Sequence, residues 1–155
     1  MKVNTNIKNC KVNVLLNGEW TEKTGAELFD NKTVVLFAVP GAFTPDCSEK
    51  HLPGFVSKYG ELKDRGIDEV YCLAVNDNFV LSAWAKDQKL QDGVKLIGDG
   101  LAEFTKKFDL TLDLSHLGVG IGARSKRYAM IVTNGTVTHI DFDDDSFAEK
   151  VLEKV

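Results

Sequence analysis

The strongest constraint on the fold is the run Val34-Val35-Leu36-Phe37-Ala38-Val39, which Pro40-Gly41 stops. A strand with one wet face alternates apolar and polar residues. A continuous run is what a strand buried on both faces requires. Glu69 to Val75 reads as a second such strand, and Val94 to Ile97 as a short third. Between them the apolar spacing turns helical. Phe55, Tyr59 and Leu62 mark a helix from about Pro45 to Lys63, with Pro53 inside it to kink or split it. Arg65-Gly66 closes that helix. Asp77 can N-cap a helix over Phe79 to Lys86, and Leu101 to Phe108 makes another short helix.

Two hairpins flank this alternation. Asn17-Gly18 joins Val12–Leu16 to Glu19–Thr21, and Asn134-Gly135 joins Tyr128–Thr133 to Val137–Phe142. Ser146 is placed to cap a last helix ending near Lys154, and the acidic stretch Asp141 to Asp145 before it reads as a solvated loop rather than a cation site. This order predicts an α/β fold: a mixed central sheet flanked by helices, with an N-terminal hairpin extension.

The 155 residues suit one domain, 1–155, and a hydrophobic content of 43% can supply its core. Lys plus Arg number 19 against 23 Asp plus Glu, a formal charge of −4. Without a basic stripe, neither nucleic acid nor an anionic membrane surface is an expected partner. Cys10, Cys47 and Cys72 are too few for a disulfide-stapled secreted domain. Met1 to Asn13 has no apolar signal core, and no apolar run reaches a membrane span of about 18 residues. The expectation is a soluble protein of a reducing, cytoplasmic compartment.

The chemistry concentrates at the turn Val39-Pro40-Gly41-Ala42-Phe43-Thr44-Pro45-Asp46-Cys47-Ser48. It puts Cys47 in the first turn of a helix, where unpaired N–H groups and the positive end of the helix dipole stabilise a thiolate. Pro40 and Pro45 stiffen both flanks. Thr44, three residues before Cys47, offers a hydroxyl as donor and acceptor, so a substrate oxygen could sit between it and the sulfur. A buried structural cysteine with Thr44 as an ordinary cap is the plain alternative. There is no Cys-x-x-Cys, no four-ligand zinc spacing, no Gly-x-Gly-x-x-Gly and no Walker-type loop, so neither metal nor cofactor is expected. The glycine-rich segment 118–122 reads as a loop.

The segment Pro40 to Ser48, followed by His51-Leu52-Pro53-Gly54-Phe55, resembles the type II, peroxiredoxin-five-like, branch of the peroxiredoxins. Pro-x-x-x-Thr-x-x-Cys is the peroxiredoxin signature, and His-Leu-Pro-Gly marks this branch. The likeness runs on through Val75-Asn76-Asp77, Phe79-Val80 and Trp84 to Arg127, and covers nearly the whole chain. It implies a thioredoxin-like fold and a thiol peroxidase for hydrogen peroxide and small organic hydroperoxides. By position, Cys47 resembles the peroxidatic cysteine, which becomes a sulfenic acid. Thr44 resembles the hydroxyl that binds the peroxide. Arg127 resembles the arginine that stabilises the thiolate and polarises the peroxide, and Pro40 the proline that shields the pocket. His51 is expected to make a structural hydrogen bond, Arg124 and Lys126 to form surface ion pairs, and Phe43 and Phe79 to pack. In relatives the last two positions lie near a dimer contact, which implies a homodimer. Asp46 departs from the small or neutral residue usual in the family, and is expected to point outward.

The resolving step is less determined. No cysteine follows Cys72, which closes the route through a C-terminal partner. Branch members with a cysteine at the position of Cys72 are recycled by glutaredoxin with glutathione, or by thioredoxin. Two readings stay open: Cys72 is an inert core thiol, which is favoured, or it resolves Cys47 after local unfolding. Cys10 reads as an incidental exposed thiol. Beside the peroxidase stands a second class, a redox sensor or relay that passes oxidation from Cys47 to a partner protein.

Overall fold

The computed structural model describes residues 1–91, 93–118 and 123–155. Its centre is a seven-stranded sheet. In chain order the strands are β1 (Lys11–Leu16), β2 (Glu19–Thr24), β3 (Thr33–Val39), β4 (Glu69–Ala74) and β5 (Lys95–Gly98). A separate two-stranded sheet of β6 (Thr111–Asp113) and β7 (Ala123–Ser125) follows, then β8 (Tyr128–Thr133) and β9 (Thr136–Phe142) return to the main sheet. The order across the main sheet is β2-β1-β5-β4-β3-β8-β9. The β3–β4 and β4–β5 pairs are parallel, and the flanking pairs are antiparallel.

The apolar run that opened the sequence is the middle of this sheet, and its alternate residues feed two cores. Val35, Phe37 and Val39 face α2 (Leu52–Asp64), α3 (Asn78–Asp87) and α5 (Ala148–Leu152). Val34, Leu36 and Ala38 face the opposite layer, with α1 (Gly25–Phe29) and α4 (Glu103–Lys107). Burial on both faces explains why no polar residue interrupts the run. Both Asn-Gly pairs form the predicted turns, with positive φ at both residues: 52° and 82° at Asn17-Gly18, 47° and 79° at Asn134-Gly135. The N-terminal hairpin extends the sheet by pairing β1 with the edge of β5.

Several expectations need correction. The helix does begin at Pro45 as expected, but after Pro45 and Asp46 it runs as a π-helical turn, Cys47–His51, before continuing as α2 from Leu52. Pro53 has no N–H, so it belongs in a first helical turn, and it splits the two segments there. Ser146 does not cap the last helix. It closes a 3-10 turn, Asp143–Ser146, by donating to the Asp143 carbonyl, and α5 begins after Phe147 and ends at Leu152. The short α1, closed by a Thr24–Glu27 capping box, and the β6–β7 pair had no expected counterpart. Asp77 does cap α3, accepting from the Val80 N–H at 2.9 Å. Apart from Gly118, the glycine-rich segment lies outside the described residues. No described helix is long and apolar enough to cross a membrane.

Candidate active site

β3 ends at Val39, and the chain crosses the sheet end through Pro40 to Pro45. Asn76, just after β4, holds this crossing by accepting from the Ala42 N–H at 3.0 Å. Phe43 sits in the left-handed region at φ 63°, a costly conformation for a bulky residue. The Thr44 hydroxyl donates to the Gly41 carbonyl at 2.6 Å, and the Thr44 carbonyl accepts from the Ser48 N–H at 2.9 Å. These bonds seat Cys47 at the start of the π-helical turn with 0% of its surface exposed.

The sheet register then delivers a cation from 80 residues away. Ala38 pairs with Tyr128 across β3 and β8, so Arg127, one residue before β8, lies beside the end of β3. Its Nη2 donates to Cys47 Sγ at 3.0 Å, and its Nη1 reaches His51 Nδ1 at 2.8 Å. His51 Nε2 lies 3.1 Å from the Ser146 carbonyl. That carbonyl can only accept, so Nε2 carries the imidazole proton and Nδ1 presents a lone pair to the arginine. His51 is fully buried between Phe37, Phe55 and Phe147, and Phe147 also lies under the Arg127 guanidinium at 5.9 Å. Burial foremost, then the Arg127 charge, push the His51 pKa down to about 3, against a smaller upward pull from the Ser146 carbonyl. A neutral histidine can accept from the guanidinium, whereas a charged one would repel it.

Thr44 and Arg127 line a cleft of about 390 Å³ together with Pro40, Ala42, Asn76 and Leu117. A larger cleft, about 840 Å³, lies between the β1–β2 turn and the end of α3, but none of these residues lines it, and no cysteine is among its described lining residues. Asp46 is exposed at the rim of the smaller cleft and makes no capping hydrogen bond, as its outward placement predicts.

Arg124 lines the smaller cleft and donates to the Val75 carbonyl at 3.1 Å. Three readings change. Lys126 lies over the Phe142 ring at 5.9 Å. Phe43 and Phe79 are exposed, at 51% and 88%, so they do not pack within the chain. Cys10 is half-buried, with its thiol donating to the Ile7 carbonyl, and burial raises its pKa. Cys72 is buried on the core face that also holds Cys47. Desolvation pushes its thiol well up and the Cys47 charge adds to this, with Arg127 pulling the other way.

His51 links this geometry to stability. The unfolded chain protonates the imidazole near pH 6.5, the folded protein only near 3, so the unfolded state binds the extra proton in between. Stability contributed by this group is therefore present above pH 6.5 and lost as pH falls toward 3, by up to about 1.4 kcal/mol per pH unit. Glutamine can donate to Ser146 and accept from Arg127 without titrating. His51→Gln is expected to fold and to show a shallower loss of stability between pH 6.5 and 4, measured by denaturant unfolding. Equal slopes in the two proteins would contradict the assignment.

Comparison with known proteins gives the arrangement its relatives. The redoxin family model matches residues 2–155. A chloroplastic peroxiredoxin-2E of Arabidopsis thaliana is 47% identical over 88% of this chain, which spans 60% of that protein's length. A peroxiredoxin of Rhizobium etli is 48% identical over 84% of this chain and 70% of its own. The reduced Prx3 of Vibrio vulnificus, solved in complex with hydrogen peroxide, superposes with a TM-score of 0.91 at 38% identity, over 99% of this chain and 98% of its own. Match to the family model along almost the whole length, and to peroxiredoxins in both sequence and fold, places this chain in the redoxin family as a peroxiredoxin.

Proposed function

We propose that this peroxiredoxin is a thiol peroxidase that reduces hydrogen peroxide and small organic hydroperoxides at Cys47. The observation that carries the reading is the Arg127 guanidinium, which lines an open cleft together with Thr44 and donates to the buried Cys47 sulfur. A guanidinium keeps its charge at any working pH and favours an anionic sulfur. In the first half-reaction the thiolate attacks the terminal oxygen of the hydroperoxide. The S–O bond forms, the O–O bond breaks, and the electron pair leaves as alkoxide or hydroxide and takes a proton from water. Cys47 is left as a sulfenic acid.

The Thr44 hydroxyl has spent its proton on Gly41, so its lone pairs are left to accept from the O–H of the peroxide. Arg127 presents its donors to the side where negative charge grows on the leaving oxygen, the kind of stabilisation that acts mainly in the transition state. Pro40 covers one wall of the cleft with a surface that cannot donate, and limits water beside the sulfur. The second half-reaction takes its thiol from outside: glutaredoxin with glutathione, or thioredoxin. The burial and raised pKa of Cys72 support this, because a neutral, enclosed thiol is a poor nucleophile where it stands. A reducing compartment such as the cytoplasm suits that chemistry.

The test is hydroperoxide consumption with glutathione and glutaredoxin, and separately with thioredoxin and its reductase. Cys47→Ser is expected to abolish turnover. Arg127→Gln is expected to lower kcat/KM for the peroxide by roughly 10²–10³-fold, the scale of losing one aligned donor. Full activity in Cys47→Ser, or a change within twofold in Arg127→Gln, would refute the reading.

We also propose a homodimer formed beside the cleft. Support comes from apolar side chains left in water there: Phe43 and Leu117 at 51% and 64% exposure, with Phe79, three residues after Asn76, at 88%. Sedimentation velocity should show a dimer at micromolar concentration and a monomer for Phe79→Glu. A monomeric parent protein would overturn this.

A further inference from the structure

We infer that Asp46 is a specificity-determining residue: its carboxylate offsets the Arg124 charge at the peroxide cleft and makes the cleft favour neutral hydroperoxides over those that carry a carboxylate. The inference rests on the peroxidase reading above.

The charges of the cleft are its starting point. Among the described residues that line it, three are charged: Asp46, Arg124 and Arg127. Arg127 is committed. Its guanidinium donates to the Cys47 sulfur at 3.0 Å, and the thiolate that it favours carries the matching negative charge. Arg124 differs. It donates to the Val75 carbonyl at 3.1 Å, a group with no net charge, so that bond fixes the guanidinium without offsetting its charge. A Cβ at Gly41 would lie 3.4 Å from the Thr44 methyl and 4.0 Å from Arg124 Nη1. The guanidinium therefore stands close to Thr44, and Asp46 follows Thr44 by two residues in the chain.

Asp46 is placed to act on what enters. Among the described residues it makes no capping hydrogen bond and no ion pair. Its side chain is exposed at the cleft rim. As the second residue of the helical stretch that begins at Pro45, it sits near the positive end of that helix, where a carboxylate is tolerated without a partner. It also stands where the family usually has a small or neutral residue, so the offset is a property of this chain rather than of the fold.

The consequence falls on one class of substrate. Hydrogen peroxide and simple alkyl hydroperoxides are neutral and feel little of either charge. A hydroperoxide that carries a carboxylate feels both. With Asp46 present, its repulsion opposes the pull of Arg124. Without Asp46, Arg124 would draw the anion into the cleft. An enzyme chooses between substrates by the ratio of their kcat/KM values, so a charge that weighs on one and not the other sets specificity.

The test uses two substrates that differ by one charge: the para-carboxy derivative of cumene hydroperoxide and its methyl ester. Stopped flow gives the second-order rate constant for oxidation of Cys47 by each, and the acid-to-ester ratio is the quantity read. Any effect of a substitution on the sulfur itself divides out of this ratio. In Asp46→Asn the ratio is expected to rise about threefold, the scale for one unit charge acting across several ångströms of a wet rim. Asp46→Glu keeps the charge and should hold the ratio at the parent value. At about 1 M salt, where the Debye length falls to about 3 Å, the gain in Asp46→Asn should vanish. An unchanged ratio in Asp46→Asn would overturn the inference alone. So would a gain that persists at high salt or appears equally in Asp46→Glu, because shape rather than charge would then be its cause. No oxygen gain at Cys47 in the parent protein would overturn the peroxidase reading and this inference together.

Discussion

The site depends on one cation held between two acceptors. Arg127 spans the Cys47 sulfur and the His51 imidazole, and His51 is fixed from behind by the Ser146 carbonyl. Each group sets the state of the next. The carbonyl fixes the tautomer, the tautomer turns a lone pair toward the guanidinium, and the guanidinium fork is thereby aimed at the sulfur. Hydrogen bonds to charged groups are worth about 1.5–3 kcal/mol each, so the chain carries weight in stability as well as chemistry. The aromatic enclosure by Phe37, Phe55 and Phe147 is part of the same device, because it keeps His51 neutral in the presence of the arginine.

The sheet makes that chain possible. The nucleophile, the cation and the carbonyl come from the end of β3, the start of β8 and the turn before α5, which are remote in sequence. Antiparallel pairing of β3 with β8 brings the first two together, and the β9 return brings Ser146 behind them. Such long-range pairing rests on the two-faced burial of β3, the same feature that stands out first in the sequence. A one-residue slip in the β3–β8 register would exchange the two cores and carry Arg127 away from the sulfur.

Legibility followed the range of the interactions. Local rules found the central strand, both Asn-Gly turns and the Asp77 cap, since each is encoded within a few residues. The cysteine turn and Arg127 were legible through a family pattern, and the structure places the arginine on the sulfur. What failed was contextual. Ser146 has good capping chemistry, but a 3-10 turn took its hydroxyl and His51 took its carbonyl. Phe43 and Phe79 look like core residues, yet the two cores are filled without them. The π-helical turn was half visible: Pro53 announced a break, but not which hydrogen-bond pattern would precede it.

The central claim is that Cys47 takes an oxygen from peroxide and waits for a thiol from outside the chain. Intact mass of the fully reduced protein after one equivalent of hydrogen peroxide tests this most directly, with Cys47→Ser as control. The account predicts a gain of one oxygen, converted by added glutathione to a single mixed disulfide, and neither product in the control. A monomer lighter by two hydrogens would contradict it, because Cys72 or Cys10 would then have closed an internal disulfide. No Cys47-dependent change at all would remove the peroxidase itself.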